Sequence, residues 1–256
     1  YSRTALIDIA NPSPVPRASE PVRLPLSVIR ASLPDFNPKF FRVKYRSDRL
    51  EPLDIPSQVL AVPGETEELV FSVDLGAKEK VTVELQYNPE GEDLPDYPDR
   101  TRSFGVWYKD GSNAAWENEI TAYRCYTGIV DCFGKSYRGL CLDRLRPDSY
   151  HHERLWGQDY YMVGKSAGLG GIGLFEGDAL TRCWGAPGQA PFTYSHEAFG
   201  GGPSAAGAVM TVHDGVSGEP LVKSAFTLFH GRYENRVRIA VSPGPRARKA
   251  IAGPGM

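Results

Sequence analysis

Apolar and polar residues alternate over short stretches of this chain, and no long segment repeats apolar residues at helical spacing. In residues 81–85 the odd positions are apolar and the even positions polar, which predicts a half-buried strand. Other short segments alternate in the same way or run apolar between turn residues. The predicted strands are 22–29, 40–45, 68–75, 80–87, 103–108, 116–126, 172–175, 206–213, 221–229 and 236–241. The pattern therefore predicts an all-β protein.

Turn residues divide the chain into segments. The pattern predicts a small β-sandwich over residues 1–88 and a larger β-sandwich over residues 101–242. The last two strands of the larger sandwich, 221–229 and 236–241, are predicted to form a hairpin. The segment 89–100 is acidic and rich in proline, which predicts a solvated linker. Residues 243–256 consist mostly of proline, glycine and basic side chains, and predict a frayed, flexible tail.

Composition narrows the possible partners. The 29 basic and 31 acidic side chains nearly cancel, so we expect no nucleic-acid partner. No apolar run approaches the roughly 20 residues of a membrane-spanning helix, and the first residues lack the apolar core of a signal peptide, so a leader would already have been removed. We expect no cofactor. The carboxylates of 89–100 offer oxygen ligands for calcium, but without the spacing of an EF-hand loop.

Four cysteines are present, at positions 125, 132, 141 and 183, and no Cys-x-x-Cys pair occurs among them. Zinc binding through sulfur is therefore not expected. In an exported protein the four would allow three disulfide pairings, whereas in the cytosol they would be small core residues. The sequence leaves both alternatives open.

Residues that exchange protons or bind polar ligands are concentrated between positions 115 and 173. The candidate catalytic residues are His151, His152, Glu117, Asp159 and Tyr160, and the candidate substrate-binding residues are Trp116, Asn118, Arg124, Trp156 and Lys165. The two histidines are adjacent, so in an extended chain their rings point to opposite sides.

If residues 116–126 form one strand, Trp116, Asn118 and Arg124 share one face, and Glu117 and Tyr123 the other. Asn118 and Arg124 would then lie about 20 Å apart, so a compact pocket needs a bend or bulge near Trp116. The structural alternative places Glu117 and Glu119 at a strand entry and Arg124 in an ion pair. The glycine-rich run 164–173 leads into an apolar segment rather than a helix, so it is not interpreted as a phosphate-binding loop.

Several ordered segments carry a family resemblance. They are Trp116-Glu117-Asn118-Glu119, Ala122-Tyr123-Arg124, Asp131-Cys132-Phe133-Gly134-Lys135, Tyr150-His151-His152, Gly157-Gln158-Asp159-Tyr160-Tyr161 and Gly168-Leu169-Gly170-Gly171. With Asn11-Pro12 and the run 67–71 near the start, these segments resemble the bacterial family called domain of unknown function 4861 (DUF4861). The resemblance extends from about residue 8 to residue 180, and the chain looks shorter than a complete second sandwich of that family.

The resemblance implies a β-sandwich followed by a larger sandwich of the galactose-mutarotase type, in a protein that works beside enzymes degrading uronate-rich polysaccharides. It implies an extracellular or periplasmic location. The expected activity on an acidic polysaccharide or oligosaccharide is β-elimination or hydrolysis. For elimination, Arg124 or Asn118 would neutralise the uronate, and His152 or Tyr160 would remove the proton. For hydrolysis, Glu117 and Asp159 would be the carboxylate pair.

The alternative function is non-catalytic. A glycan-binding or self-assembling module would use its tryptophans to stack on sugars or to pack against neighbouring chains. An incomplete second sandwich would leave strand edges free for another copy or for a partner chain that completes it.

Overall fold

The computed structural model describes residues 1–46, 53–105, 113–144, 152–161, 163, 166–176, 178–185, 191–242 and 249–252. The described chain is almost entirely antiparallel β-sheet, as the sequence predicts. It divides into two compact units, Tyr1–Arg100 with Gly202–Ala205, and Thr101–Gly201 with Ala206–Met256. Among the described residues, no helix has the length and apolar character needed to cross a membrane.

The first unit contains two antiparallel sheets with strand orders β1-β7-β3-β4 and β2-β6-β5. Its elements are β1 Arg3–Ala10, β2 Arg17–Pro25, α1 Leu26–Ser32, β3 Phe41–Tyr45, β4 Asp54–Ile55, β5 Ser57–Leu60, β6 Glu68–Leu75 and β7 Lys80–Tyr87. Inward-facing side chains of both sheets share one core, in which Phe41, Val83 and Leu85 of one sheet lie with Leu69 and Phe71 of the other. The unit is therefore a small β-sandwich.

The predicted strand over residues 22–29 is only partly correct. The strand ends at Pro25, and α1 begins at Leu26. Pro25 precedes the helix with a φ of −53°, a value that its ring imposes and that suits a helix start. The apolar residues Leu26 and Ile29, which resemble a strand in sequence, are one helical turn apart and both enter the core.

The second unit contains three sheets, with orders β12-β11-β10-β9-β8, β15-β16-β17-β18 and β14-β13-β19. Its strands are β8 Thr101–Phe104, β9 Asn113–Asn118, β10 Thr121–Tyr126, β11 Ile129–Lys135, β12 Gly157–Asp159, β13 Ile172–Glu176, β14 Ala179–Arg182, β15 Phe192–Gly200, β16 Ala205–Asp214, β17 Pro220–Phe229, β18 Asn235–Val241 and β19 Lys249–Ala252. A 3-10 turn spans Leu142–Arg144. The hairpin of β17 and β18 is present as predicted.

The β8–β12 sheet and the β15–β18 sheet pack face to face. Trp116, Cys125 and Val130 of the first sheet share a core with Met210 and Phe226 of the second. A smaller cluster joins β13 to β16 and β17 through Ile172, Val212 and Val222. The second unit is therefore sandwich-like as well. The strand β19, which pairs with β13, lies within the segment predicted to be a flexible tail.

The prediction of one strand over residues 116–126 is wrong. The segment forms a hairpin, in which β9 ends at Asn118 and β10 begins at Thr121. The Asn118 side chain explains the reversal, because its Oδ1 accepts hydrogen bonds from the backbone N–H groups of Ile120 at 2.8 Å and Thr121 at 2.9 Å. Asparagine side chains often stabilise turns through such bonds.

Candidate functional site

The hairpin decides which residues share a face of the β8–β12 sheet. Residues directly opposite in an antiparallel pair point to the same side. Glu117 faces Ala122, and Arg124 faces Asp131, whereas Trp116 faces Tyr123. Glu117 and Arg124 therefore share one face, and Trp116 and Asn118 lie on the other. The prediction that Asn118 and Arg124 share a face is wrong. We call the face of Ala115, Glu117, Ala122, Arg124, Asp131, Phe133, Lys135 and Asp159 the polar face.

Glu117 belongs to a structural ion pair on the polar face. Its side chain is fully buried, and Lys135, with a side chain 1% exposed, donates to its carboxylate. Its oxygens also accept hydrogen bonds from the backbone N–H groups of Cys141 at 2.9 Å and Leu142 at 3.0 Å. These contacts leave Glu117 inaccessible to a substrate and tie the chain around Cys141 to β9.

Trp116 and Asn118 are also committed to internal contacts. Trp116 is fully buried, stacks between Tyr123 and Phe226, and donates its indole N–H to Asn235. The amide nitrogen of Asn118 donates to the carbonyl oxygens of Phe229 at 2.7 Å and Arg232 at 2.6 Å. Trp116 therefore has no free ring face for a sugar, and Asn118 connects two hairpins.

Arg124, Asp131 and Asp159 lie together on the polar face, and we call them the Arg124 cluster. Arg124 Nη2 donates to Asp131 Oδ2 at 2.6 Å, and its guanidinium carbon lies 4.3 Å from the centre of the Tyr126 ring. Asp159 faces Phe133, two residues along β11 from Asp131. The three residues come from three different segments of the family resemblance, and folding brings them onto one surface.

The two carboxylates of the Arg124 cluster have different partners. Asp159 Oδ1 accepts the backbone N–H of Tyr161 at 2.9 Å. Asp131 is 1% exposed, and its Oδ1 has no hydrogen-bond partner among the described residues. Burial raises the pKa of Asp131 to about 6, the Arg124 cation opposes this rise, and the charge of Asp159 adds to it. A buried acid that titrates near neutral pH is suited to proton transfer.

The remaining candidate residues do not join this cluster. Tyr160 is 66% exposed, and its ring covers Gly134, which lies on the face opposite to Arg124. His152 lies exposed in a bend before β12, and Trp156 is half-buried against Phe133. His151 and Lys165 lie outside the described residues. The structure therefore separates the phenol of Tyr160 from the guanidinium of Arg124.

Cysteine and metal chemistry find little support in the described structure. All four cysteines are free, and burial raises the pKa of the Cys125 thiol to about 12 and that of Cys132 to about 11. Such thiols stay protonated at neutral pH and are poor nucleophiles. Within the described part of the chain, no three His, Cys, Asp or Glu side chains gather as metal ligands would.

Asp131 is the site residue that sequence reasoning missed, although it stands in a segment of the family resemblance. The signal was the separation of seven residues between Arg124 and Asp131 across Thr127-Gly128. The β10–β11 turn at these two residues, both with positive φ, sets Arg124 opposite Asp131. Without the register, Arg124 and Asp131 cannot be assigned to one face.

The fold and site define a two-unit, all-β sandwich protein with a buried cluster of one arginine and two carboxylates. The family described as Domain of unknown function (DUF4861) matches residues 9–252, so the chain belongs to that family. The match continues well beyond residue 180, where the sequence-based resemblance ends. No curated protein and no solved structure matches the chain. The galactose-mutarotase type of sandwich therefore stays a prediction.

Proposed function

We propose that this protein hydrolyses an acidic saccharide and that Asp131 and Asp159 are its proton-transferring pair. The observation that carries the proposal is the Arg124 cluster, in which two carboxylates and a guanidinium share one face of the β8–β12 sheet. Glu117, the other predicted partner of Asp159, is fully engaged with Lys135 and backbone N–H groups. Asp131 therefore replaces Glu117 as the proposed partner of Asp159.

The roles follow from the surroundings of each group. Asp131, whose pKa is raised to about 6, would donate a proton to the leaving glycosidic oxygen. Because Asp131 is only 1% exposed, this role requires the polar face to open when a substrate binds. Asp159 would accept a proton from the attacking water. Asp131 and Asp159 are diagonal neighbours on adjacent strands, for which backbone separations of roughly 7–8 Å are typical.

Arg124 supports the proposal that the substrate is acidic. Its Nη2 donates to Asp131, and its positive charge is of the sign that would attract a uronate carboxylate. Elimination finds less support than hydrolysis, because neither predicted base joins the Arg124 cluster. Tyr160 lies on the opposite face of the sheet, and His152 lies exposed in a bend before β12. Export from the cytosol stays a prediction that the geometry neither favours nor opposes.

The test is turnover of uronate-containing oligosaccharides by the wild-type protein and by the Asp131→Asn and Asp159→Asn variants. We expect new reducing ends without the absorbance of unsaturated uronates, and at least a 100-fold loss of turnover in each variant, as for removal of an acid or base catalyst. Tyr160→Phe serves as the control and should retain activity. Unsaturated products, or full activity in both Asn variants, would contradict the proposal.

A non-catalytic, self-associating module is the second candidate, and the edge strand β18 favours it. β18 lies at the end of its sheet, and Val237, Ile239 and Val241 remain 44%, 37% and 37% exposed. A long edge strand with apolar side chains is a common place for strand pairing between chains. Sedimentation velocity separates the candidates, because a stable oligomer without turnover of any uronate glycan favours the module.

A further inference from the structure

The strand β18 has a backbone edge that no described strand covers. It lies at the end of the order β15-β16-β17-β18, and among the described strands only β17 pairs with it. Its side chains are exposed on both faces from Arg236 to Val241. We call Val237, Ile239 and Val241, which share one of these faces, the apolar row.

The free hydrogen-bonding groups of this edge belong to the apolar row. The N–H of Ser242 donates to the carbonyl oxygen of Leu221 at 2.9 Å, and the register of β17 and β18, continued by one residue, sets these two opposite each other. Bonded and non-bonded pairs alternate along an antiparallel ladder. Val237, Ile239 and Val241 therefore form non-bonded pairs with β17. Their N–H and C=O groups point away from β17, towards solvent.

The apolar row lies on the core side of its sheet. Val237 faces Phe226 on β17, and Val241 faces Val222. Phe226 and Val222 both belong to buried apolar clusters. A cavity of about 270 Å³ opens beside Val237 and is lined mostly by apolar side chains, Leu169 among them. The described chain leaves this side of the core uncovered, so covering it with further apolar surface would gain about 25 cal/mol per Å².

A second copy of β18 fits this edge. In an antiparallel pair with a two-fold axis at Ile239, Ile239 faces Ile239 of the second copy, and Val237 faces Val241 of the second copy. These are the residues whose backbone groups point outward, so each such pair can exchange both of its N–H···O=C bonds. The two apolar rows then lie side by side on the core side of one continuous sheet.

The other face of β18 accepts the same register. Arg238 would face Ala240 of the second copy, and Arg236 would face Ser242 of the second copy. Each guanidinium therefore stands opposite a small side chain. Like charges directly opposite each other on a sheet are destabilising, and this register avoids them.

The neighbouring two-fold registers are less favourable. An axis at Arg238 would set two guanidinium groups directly opposite each other. An axis at Ala240 would give a shorter ladder, because Pro243 follows the strand in the sequence and has no N–H to donate. The charge pattern and the proline together select the register centred on Ile239.

We propose that two copies of this chain associate through β18, with Ile239 at the two-fold axis of a continuous antiparallel sheet. Two-fold homodimers are the commonest soluble oligomers, and their interface uses the same surface of both copies. The inference rests on the self-association candidate given above, for which it names the partner and the contact. It uses no residue of the Arg124 cluster, so it also applies to an active hydrolase.

Cysteine cross-linking tests the register. Opposite residues of a bonded pair have Cα atoms about 5.5 Å apart, within the roughly 4.4–6.8 Å that disulfides span. Ile239→Cys should therefore give a disulfide-linked dimer under mild oxidation, read on a non-reducing gel. Val237→Cys is the matched control, because the two copies of position 237 would lie roughly 14 Å apart and should not cross-link. The native thiols should contribute little, since burial raises the pKa of all four.

Sedimentation velocity of the full chain tests the association itself. We expect a wild-type dimer that Ile239→Lys weakens by roughly tenfold or more, because this change removes apolar contact and sets two ammonium groups at the axis. Val216→Lys is the control, since Val216 is 91% exposed in the turn between β16 and β17. Val216→Lys and Asp131→Asn should both remain dimeric.

Three results would overturn the proposal. They are a monomeric wild-type protein, equal cross-linking at positions 237 and 239, and a dimer that Ile239→Lys leaves intact. Failure of the proposed hydrolysis would appear instead as the absence of new reducing ends, which neither of these experiments measures.

Discussion

Replacing Glu117 with alanine tests whether this carboxylate is structural. The change leaves the Lys135 ammonium buried, with a side chain 1% exposed and, among the described residues, the carbonyl oxygens of Asn118 and Gly139 as its remaining hydrogen-bond partners. Removing one partner of a buried ion pair costs about 3–5 kcal/mol. The N–H groups of Cys141 and Leu142 also lose their acceptor, so the upper part of this range is expected. For a domain of 150–250 residues, where 1 kcal/mol shifts the melting temperature by about 2–4 °C, this corresponds to a melting temperature lower by roughly 8–20 °C.

The assay is chemical denaturation of the wild-type protein and the Glu117→Ala variant, together with calorimetric melting. The double variant Glu117→Leu with Lys135→Met is the control, because replacing both charges by apolar groups avoids the uncompensated ammonium. We expect the double variant to recover most of the lost free energy of unfolding. A loss below about 1 kcal/mol in the single variant, or equal losses in both, would refute the assignment of Glu117 to a structural pair.

Three further measurements test the packing and the electrostatics. Burial lowers the pKa of His196 from 6.5 to about 4, so near pH 5 the folded state binds fewer protons than the unfolded state. The free energy of unfolding therefore keeps its full value above pH 6.5 and falls by up to about 3 kcal/mol towards pH 4. In pH-dependent denaturation, His196→Gln should reduce this loss. The pH dependence that Asp131 contributes has the opposite sign, because its pKa in the folded state is raised from 3.8 to about 6. Its contribution to the free energy of unfolding is fully present below pH 3.8 and is lost as the pH rises through 6. The stability difference between the wild-type protein and Asp131→Asn should therefore change in that pH range. Gly207→Ala would place a Cβ 2.0 Å from the carbonyl oxygen of Phe226, and because backbone cannot yield cheaply we expect a loss of several kcal/mol in thermal melting, whereas unchanged stability would contradict this packing.

Strand positions followed from the sequence wherever one face of a strand is buried. The predicted strands 68–75 and 80–87 match β6 and β7 in both bounds, because alternating burial leaves a period of two in the sequence. The prediction failed where local chemistry competed with that pattern. Pro25 starts a helix inside an apolar run, and the Asn118 side chain reverses the chain inside a predicted strand.

The candidate site was harder to predict than the fold. Sequence analysis located the segment that carries Arg124 and Asp159, but it also selected Glu117, Trp116 and Asn118, whose polar groups the structure uses internally. Burial and hydrogen-bond satisfaction depend on residues distant in sequence. Asn118, for example, bonds to carbonyl groups more than 100 positions away.

The sequence by itself determined the all-β class, most strands and the family, because alternation and ordered motifs are local properties of the chain. Only the tertiary structure decided which side chains meet. A shift of one residue in register or one unforeseen hairpin moves every following side chain to the other face of a sheet. The turns and registers of the β8–β12 sheet place Arg124 beside Asp131, separate it from Tyr160, and pair buried Glu117 with Lys135.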